Sequence, residues 1–350
     1  MTKAVKPQRI GVVLIGAGMI AKTHVTALSA VRDLVRLQAI VSRRPESAHY
    51  LAAHYAGEAP VFLDDLSEVV ANPSIQMAIV ATPPSVRAEV IETLADAGKH
   101  ILLEKPVART MAEAVQVVDI CERAGVALGV LFQHRMRAPS KSAARYVASG
   151  ALGKLGLVEI AVPLWRNQSY YDELGRGTYA RDGGGVLITN AIHSIDLALS
   201  LTGPVTSVQA MTATTPLHKM EAEDFAVAGL RFASGAVGSL VASTATFPHG
   251  TETITLHFER GSLRISKDAL KVNWRDGRVN TEAQDQDDPN ETPLRGGNFK
   301  WHQAVIEDFA DAIRSGRPPM VTGREALASH LLIEAIEASS RTGRPVDIAS

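Results

Sequence analysis

A glycine-rich turn directly follows the first apolar run of the chain. The run Ile10–Ile15 leads into Gly16-Ala17-Gly18-Met19-Ile20-Ala21, where a helical pattern begins. In this setting the first glycine permits a tight turn, the second lets a pyrophosphate approach the backbone, and the small sixth residue allows close helix–strand packing. The helix N-terminus adds backbone donors and a positive dipole. The segment predicts dinucleotide binding through Gly16, Gly18, Met19 and Ile20, with a purely structural turn as the alternative.

The first 133 residues alternate short apolar runs with helical patterns. Thr110 and Glu113, for example, have the spacing of a capping box at the start of one helix. Alternating strands and helices favour a parallel sheet with right-handed crossovers, so residues 1–133 are predicted to form a doubly wound α/β domain of the Rossmann type. The predicted strands are Ile10–Ile15, Val35–Val41, Gln76–Ala81, His100–Leu103 and Ala127–Phe132.

The pattern changes after Gln133. A helix is predicted over Ser140–Ser149, and long strand-like runs with period-two alternation follow it. Residues 134–350 are therefore predicted to form an α+β domain with a mostly antiparallel sheet. Whether the closing helices, within 301–342, pack back on the first domain stays open. The predicted strands are Leu155–Trp165, Val205–Thr214, Phe225–Phe232, Ala236–Thr246, Thr253–Phe258 and Leu270–Trp274.

Charge and cysteine content exclude several classes of protein. The 36 Lys and Arg residues balance 37 Asp and Glu residues, so no basic excess exists to bind nucleic acid. The single cysteine, Cys121, excludes intrachain disulfides and multi-thiolate zinc sites. No apolar run is long enough to suggest a membrane span. We expect a cytoplasmic protein without a metal, and the acidic stretch from Asp285 to Glu291 is interpreted as a solvated loop, because it lacks the glycine of a calcium loop.

The end of the second predicted strand bears on cofactor choice. NAD enzymes usually place an acidic residue there, whereas this chain has Ser42, Arg43 and Arg44. A hydroxyl and guanidinium groups suit a 2′-phosphate, since arginine presents paired donors to phosphate oxygens. Ser42 and Arg43 therefore favour NADP over NAD. The alternative is that the arginines are solvated and the protein accepts either cofactor.

Two short motifs follow later strands of the predicted parallel sheet. Ala81-Thr82-Pro83 follows one strand and Glu104-Lys105-Pro106 follows the next. Ligands of open α/β sheets bind at these carboxyl ends. A lysine placed there can stabilise negative charge that develops on a substrate oxygen. Lys105 is thus a candidate catalytic residue, although a lysine in such a position is often a solvated surface charge.

A polar stripe interrupts an apolar helical pattern in the second half. Thr189, His193 and Asp196 are spaced to share one helix face, after the triple glycine 183–185. An imidazole titrates near neutral pH and can accept a hydroxyl proton. His193 is therefore a candidate general base, with a buried structural histidine as the alternative.

Four motifs in one order resemble the Gfo/Idh/MocA family of pyridine nucleotide oxidoreductases: GAGMIA, ATPP, EKP, and GGG followed by IHSID. The resemblance implies a Rossmann domain followed by an open-faced sheet domain. It also implies that Lys105 and His193 are the catalytic pair and that a cis peptide precedes Pro106. Ala81, Thr82, Pro83 and Glu104 are then cofactor contacts together with Lys105. Family members act on carbinols of sugars, cyclitols and related rings, and many form homodimers or homotetramers.

The chain departs from the family pattern at two positions. Thr189 stands where the family often has Asp, with Asn190 beside it, and Arg87 stands where a histidine is common. The resemblance implies that Arg135 contacts cofactor or substrate. The substrate contacts expected besides Lys105 and His193 are Arg135, Trp165, Arg166, Tyr170, Arg176, Thr189 and Asn190, while a loop packed by its own aromatic residues is the alternative for the segment from Trp165 to Arg176.

The sequence therefore predicts an NAD(P)-dependent oxidoreductase. The reaction expected is hydride transfer between nicotinamide and a secondary alcohol or ketone of a small ring polyol or sugar. Two alternatives are a glycosidase of the same superfamily that uses NAD, and a non-catalytic regulatory protein that binds the cofactor. Nucleic acid and membranes are not expected partners. The protein is expected to form a homodimer or a homotetramer.

Overall fold

The structure is a computed structural model that describes residues 9–282 and 298–348. The described chain divides into two units. The first comprises residues 9–107, 115–133 and 298–325, and the second comprises residues 108–114, 134–282 and 326–348. The acidic stretch from Asp285 to Glu291 lies outside the described residues.

A six-stranded, fully parallel sheet forms the centre of the first unit, in the order β3-β2-β1-β4-β5-β6. All six residues of β1 are buried, as is typical of a parallel sheet covered on both faces. The predicted parallel sheet is confirmed; β3 escaped prediction because it has three residues, none of them buried. The strands are β1 (Ile10–Ile15), β2 (Val35–Val41), β3 (Val61–Leu63), β4 (Ile75–Val80), β5 (His100–Glu104) and β6 (Leu128–Leu131).

Nine α-helices occur in the described residues. Half of the predicted capping box is observed: the Glu113 amide donates to the Thr110 hydroxyl at 3.2 Å, while the Glu113 carboxylate accepts the Arg109 amide, also at 3.2 Å. Pro45 opens a 3₁₀ helix, Pro45–His54. The α-helices are α1 (Ala21–Ala30), α2 (Ser67–Ala71), α3 (Arg87–Asp96), α4 (Met111–Arg123), α5 (Ala138–Ser149), α6 (Gln168–Tyr171), α7 (Ile192–Thr202), α8 (Phe299–Ser315) and α9 (Gly323–Thr342).

The two closing helices divide between the units. Helix α8 packs on α1, β5 and β6 of the first unit, where a Cβ on Gly129 would lie 2.7 Å from the Phe309 ring. The Val130 amide donates to the Val321 carbonyl at 3.1 Å, so the segment before α9 adds to the edge of the sheet. From Ala326 onward, α9 belongs to the second unit.

A nine-stranded sheet forms the second unit, in the order β14-β13-β12-β11-β7-β10-β9-β8-β15. Only β7 and β10 pair in parallel within it, so the prediction of a mostly antiparallel sheet is confirmed. Helix α7 packs on β7 and β11, and α5 packs on β12 and β13. The strands are β7 (Leu155–Pro163), β8 (Val205–Ala213), β9 (Phe225–Phe232), β10 (Val237–Ser243), β11 (Thr253–Phe258), β12 (Gly261–Ile265), β13 (Leu270–Trp274), β14 (Val279–Glu282) and β15 (Val346–Asp347).

Across residues 9–282 and 298–348, no helix has both the length and the apolar character that a membrane crossing requires.

Candidate active site

The glycine turn has the backbone geometry that a bound diphosphate requires. Gly16 has φ +105°, and a Cβ there would lie 2.8 Å from the Ala81 carbonyl oxygen, so only glycine lets β1 and β4 approach so closely. A Cβ on Gly18 would meet nothing within 4 Å, which leaves open space in front of that backbone. No described side chain caps the N-terminus of α1. The turn therefore fits a dinucleotide diphosphate, with Met19 and Ile20 at the start of the helix.

The residues after β2 are arranged around Ser42. Its amide donates to the Leu63 carbonyl at 2.9 Å, and its hydroxyl accepts from the Arg44 amide at 3.4 Å. Arg43 and Arg44 are both exposed, and neither forms an ion pair with a described residue. Two cations are thus available beside the end of this strand.

The motifs after β4 and β5 lie at the carboxyl edge of the same sheet. Ala81 is tied to β1 through its amide, which donates to the Ile15 carbonyl at 2.8 Å, and Thr82 and Pro83 continue from it. Lys105 follows β5 and is half-buried. The Lys105–Pro106 peptide is cis, as the family resemblance implies.

Arg87, at the start of α3, joins these two motifs. Its Nε donates to the Thr82 carbonyl at 2.9 Å, and its Nη1 donates to the carbonyls of Glu104, at 2.6 Å, and Pro106. Burial lowers the pKa of Arg87 to about 10, against the charge of Glu104, so the side chain remains a cation at neutral pH. Sequence reasoning left this residue without a role, because nothing local indicates that it reaches β5.

The Glu104 side chain contacts two buried histidines that the sequence did not single out. Its carboxylate lies 2.8 Å from His24 Nε2 and 4.0 Å from His302 Nε2. Burial opposes ionisation of Glu104, but the hydrogen bond to His24 and the charges of both histidines and Lys105 prevail and lower its pKa to about 2. Burial, together with the charge of His24, lowers the pKa of His302 to about 4.

These three side chains also have the composition of a metal site. Their ligand atoms lie within 4.8 Å of one another, and all three residues are buried. However, His24 Nδ1 makes no hydrogen bond to a described residue, whereas a metal-bound histidine normally bonds a partner through its second nitrogen. The cations Arg87 and Lys105 nearby also disfavour a divalent ion. A charged hydrogen bond between His24 and Glu104 explains the arrangement better, and the absence of a metal stays a prediction.

In the second unit, Glu223 holds the segment that leads to His193. Its carboxylate accepts the amides of Gly185 and Leu187, each at 3.0 Å. A Cβ on Gly185 would lie 1.7 Å from the Glu223 carbonyl oxygen, which requires glycine at that position. Burial raises the pKa of Glu223. Burial and the charge of Glu223 raise the pKa of Glu337, on α9, to about 7.

The helical segment that carries His193 begins with a π-helical turn, Leu187–Ala191. Thr189 lies in this turn, so its register with α7 differs from the uniform α-helix that the spacing predicted. The Thr189 hydroxyl donates to the Gly185 carbonyl at 2.5 Å and lies 3.0 Å from Asn190 Oδ1. His193 is 8% exposed, and its ring stacks on His134 with centroids 4.4 Å apart.

Arg135 and Asp196 form a two-point ion pair. The Nε and Nη2 atoms of Arg135 lie 2.8 and 2.7 Å from the two carboxylate oxygens of Asp196, one helical turn after His193. Asp196 is almost completely buried, so the pair is well shielded from water. Arg135 therefore anchors α7 within this unit, and its contact with cofactor or substrate stays a prediction.

The aromatic segment after β7 stacks two arginines on Tyr170. The guanidinium carbons of Arg166 and Arg176 lie 5.5 and 4.9 Å from its ring centroid. Arg176 also pairs with Glu173 at 2.9 Å. Trp165 stands beside this group with its indole nitrogen bonded to Asn167 at 3.0 Å.

His218, which no sequence pattern singled out, connects the segment from Trp165 to Arg176 with Asp224. Its Nδ1 lies 2.7 Å from the Asp224 carboxylate, and its Nε2 lies 2.8 Å from the Arg166 carbonyl. No motif marks this residue, because the contact joins segments about 50 positions apart. The predicted site residues of the second unit therefore fall into two segments. One carries Trp165, Arg166, Tyr170 and Arg176, and the other carries Thr189, Asn190 and His193. Lys105 belongs to the first unit. The joint action of Lys105 and His193 therefore stays a prediction.

Family models match both parts of the chain. Residues 10–132 match an oxidoreductase family described as an NAD-binding Rossmann fold, and residues 141–264 match the GFO/IDH/MocA C-terminal domain. D-apiose dehydrogenase of Paraburkholderia graminis is 28% identical, over 96% of this chain and 89% of that protein.

Solved structures are similar over nearly the full length. The WlbA dehydrogenase from Bordetella pertussis, in complex with NADH and UDP-GlcNAcA, has a TM-score of 0.82 and 30% identity, over 98% of this chain and all of that one. A levoglucosan dehydrogenase in complex with NADH and levoglucosan has a TM-score of 0.87 and 26% identity, again over 98% of this chain and all of that one. The similarity therefore covers both units.

Proposed function

The chain belongs to the Gfo/Idh/MocA family of oxidoreductases, and from this premise we propose that it transfers hydride between a nicotinamide dinucleotide and a secondary alcohol carbon of a sugar or cyclitol ring. The observation that carries the proposal is the carboxyl edge of the parallel sheet. There the open space at Gly18 and the half-buried Lys105 share one edge of one sheet. A dinucleotide bound at the glycine turn would therefore lie along the same sheet edge as the Lys105 amine.

In the proposed mechanism, Lys105 binds the substrate oxygen and stabilises the negative charge that develops on it. His193 accepts the hydroxyl proton, and the electron pair of the C–H bond leaves with the hydride, so that alcohol becomes ketone. When bound, the nicotinamide supplies the hydride acceptor. Thr189 and Asn190 are neutral, whereas the family often has an aspartate at the position of Thr189. In the proposed mechanism they therefore bind substrate hydroxyls and take no part in proton transfer.

The proposed cofactor is NADP in preference to NAD. Ser42 and Arg43 support this choice, because they match a 2′-phosphate better than a bare hydroxyl. Arg43 is exposed and forms no ion pair with a described residue. Replacing Arg43 by Ala should weaken NADP binding about tenfold and leave NAD binding unchanged, measured by fluorescence titration. Equal losses for both cofactors would contradict the preference, and the NADH complexes of related structures make NAD the competing outcome.

The proposed substrate is a small polyol ring. Relatives named for D-apiose and levoglucosan support a sugar. Tyr170 and Trp165 offer aromatic faces of the kind that stack on sugar rings, and Arg166 and Arg176 offer donors for oxygen atoms. These four residues are the proposed substrate contacts in the segment after β7. The proposed contacts elsewhere in the chain are Lys105, Arg135 and His193.

We further propose a homodimer or homotetramer that assembles through the exposed face of the nine-stranded sheet. Four exposed apolar residues lie on that face: Leu157, Met211, Val237 and Val241. Val237 lies opposite Leu157, and the half-buried Val227 lies between Val241 and Met211. Such a face is typical of an association surface. A cytoplasmic location is proposed on the grounds of the single, buried Cys121.

A substrate screen tests the proposal. Purified protein is incubated with sugars, inositols, uronates and dihydrodiols, each with NAD and with NADP, and reduced nicotinamide is followed by absorbance. A hit should lose about 100-fold to 10,000-fold in kcat in Lys105→Met and His193→Ala variants, with dinucleotide binding retained. His49→Ala, which replaces an exposed histidine of the first unit, is the control.

Three results would overturn the proposal. Wild-type turnover in the His193→Ala variant would exclude the assigned proton transfer. Glycoside cleavage without net cofactor reduction would identify an NAD-using glycosidase. Cofactor binding without turnover on any substrate class would favour a regulatory protein.

A further inference from the structure

Arg87 is a buried cation whose hydrogen bonds all go to backbone carbonyls. Only 3% of its surface is exposed, and its guanidinium reaches the carbonyls of Thr82, Glu104 and Pro106. Burying a charge is costly unless it is fully hydrogen-bonded. A residue held this way, away from solvent, cannot bind substrate directly, so its effect must pass through the backbone it contacts.

Those carbonyls belong to two loops of the proposed active site. Glu104 and Pro106 are the neighbours of Lys105 on either side, and one nitrogen, Nη1, contacts both of their carbonyls. Nε of the same guanidinium contacts Thr82, in the loop that follows β4. Because the guanidinium is planar and rigid, its hydrogen bonds restrain the separation of the two loops and the backbone on either side of Lys105.

The side chain of Glu104, the last residue of β5, is restrained as well. The Glu104 carboxylate is bonded to His24 at 2.8 Å, while the Glu104 carbonyl is bonded to Arg87. The side chain and the main chain of the residue before Lys105 are thus held by two different side chains, His24 of α1 and Arg87 of α3. The lysine extends from a backbone with little freedom to move.

We propose that Arg87 is a positioning residue that sets the Lys105 amine at the substrate oxygen. This inference rests on the proposed function, in which Lys105 stabilises that oxygen. A shift of about 1 Å in a catalytic group can cost on the order of 100-fold in rate, so the guanidinium contributes to turnover without touching substrate. Lysine in its place keeps the charge, but its donors all lie on one nitrogen, which cannot occupy the positions of both Nε and Nη1.

A double-mutant cycle tests the proposal. Four proteins are compared for kcat on the substrate found in the screen: wild type, Arg87→Lys, Lys105→Met and the double variant. We expect Arg87→Lys to lower kcat about 100-fold in the wild-type background and by less than about threefold in the Lys105→Met background. An arginine that only stabilises the fold would reduce both backgrounds by the same factor.

Two further variants keep the test decisive. Arg87→Gln is neutral, retains one amide donor group and needs no buried charge, so it replaces Arg87→Lys in the cycle if the lysine variant does not fold by circular dichroism. Arg314→Lys is the control, because Arg314 is an exposed arginine of the same unit that also donates to a backbone carbonyl, that of Leu34 at 2.6 Å. It should keep the wild-type kcat.

The outcomes separate this inference from the proposed function. Equal factors in both backgrounds, or an unchanged kcat in the Arg87 variants, would overturn the positioning role and leave the dehydrogenase proposal intact. Wild-type turnover in Lys105→Met would instead overturn the role of the lysine itself, and the Arg87 inference with it.

Discussion

Replacing Glu337 by Gln should stabilise the protein at alkaline pH. Burial and the charge of Glu223 raise the pKa of Glu337 from its usual value of 4.5 to about 7. The two carboxylates share one region: a Cβ on Gly184 would lie 3.5 Å from Glu337 Oε1 and 3.9 Å from Glu223 Oε2. Glutamine keeps the shape of the side chain and removes the charge.

The sign of the effect follows from proton linkage. Between pH 4.5 and 7 the folded protein retains a proton on Glu337 that the unfolded chain has released, so stability falls as pH rises through this range. A pKa difference of this size corresponds to about 3 kcal/mol above pH 7, which partial exposure of the side chain reduces to about 2 kcal/mol. At pH 4 the Glu337 carboxyl is mostly protonated in both the folded and the unfolded protein, so the stability gained from glutamine disappears.

Urea unfolding followed by circular dichroism at pH 4, 6 and 8 measures the difference. The free energy of unfolding of Glu337→Gln should exceed that of wild type by about 2 kcal/mol at pH 8 and match it at pH 4. Glu334→Gln, an exposed residue one turn earlier on α9, serves as control and should behave as wild type. A benefit that is equal at all three pH values, or largest at pH 4, would refute the reasoning.

Three further substitutions test the backbone features of the two units. Gly18→Ala should weaken dinucleotide binding at least about tenfold and leave the urea midpoint unchanged, because its Cβ enters open space that the diphosphate would occupy. Gly185→Ala should cost at least about 3 kcal/mol of unfolding free energy, since its Cβ overlaps the Glu223 carbonyl oxygen; a stable variant would contradict this. Glu223→Ala should cost about 2–4 kcal/mol by leaving two buried amides without an acceptor, whereas the exposed Glu221→Ala should stay within about 0.5 kcal/mol of wild type.

The five predicted strands of the parallel sheet agree with the structure to within one residue at each end. Buried parallel strands are continuous apolar runs, and the glycine turn after β1 is recognisable by its steric needs alone. Four strands were missed: β3, β12, β14 and β15. None of β3, β14 and β15 has a buried residue, and β12 has only two large apolar side chains, Leu263 and Ile265, so no apolar run marks them. The π-helical turn around Thr189 was also missed, since propensities do not distinguish it from an α-helix.

The site was only partly accessible to sequence reasoning. Lys105 and His193 were selected because they follow recognisable local signals, a strand end and a polar stripe. Arg87, His24 and His218 follow none, and each acts through a contact with a segment distant in sequence. Arg135 is predicted to contact cofactor or substrate, but its pairing with Asp196, 61 positions away, has no local signal in the sequence.

By itself the sequence determined the order of strands and helices, the glycine turn and the family, because these depend on neighbouring residues and on the conformational freedom of glycine. Only the tertiary structure decided which partner each buried polar group finds: Arg87 bonds the carbonyls at two strand ends, His24 bonds Glu104, and Glu223 accepts the amides at the start of the His193 segment. The reason is physical. The energy of a buried charge or amide depends on the partner that folding brings within about 3 Å, and the local chain does not specify that partner.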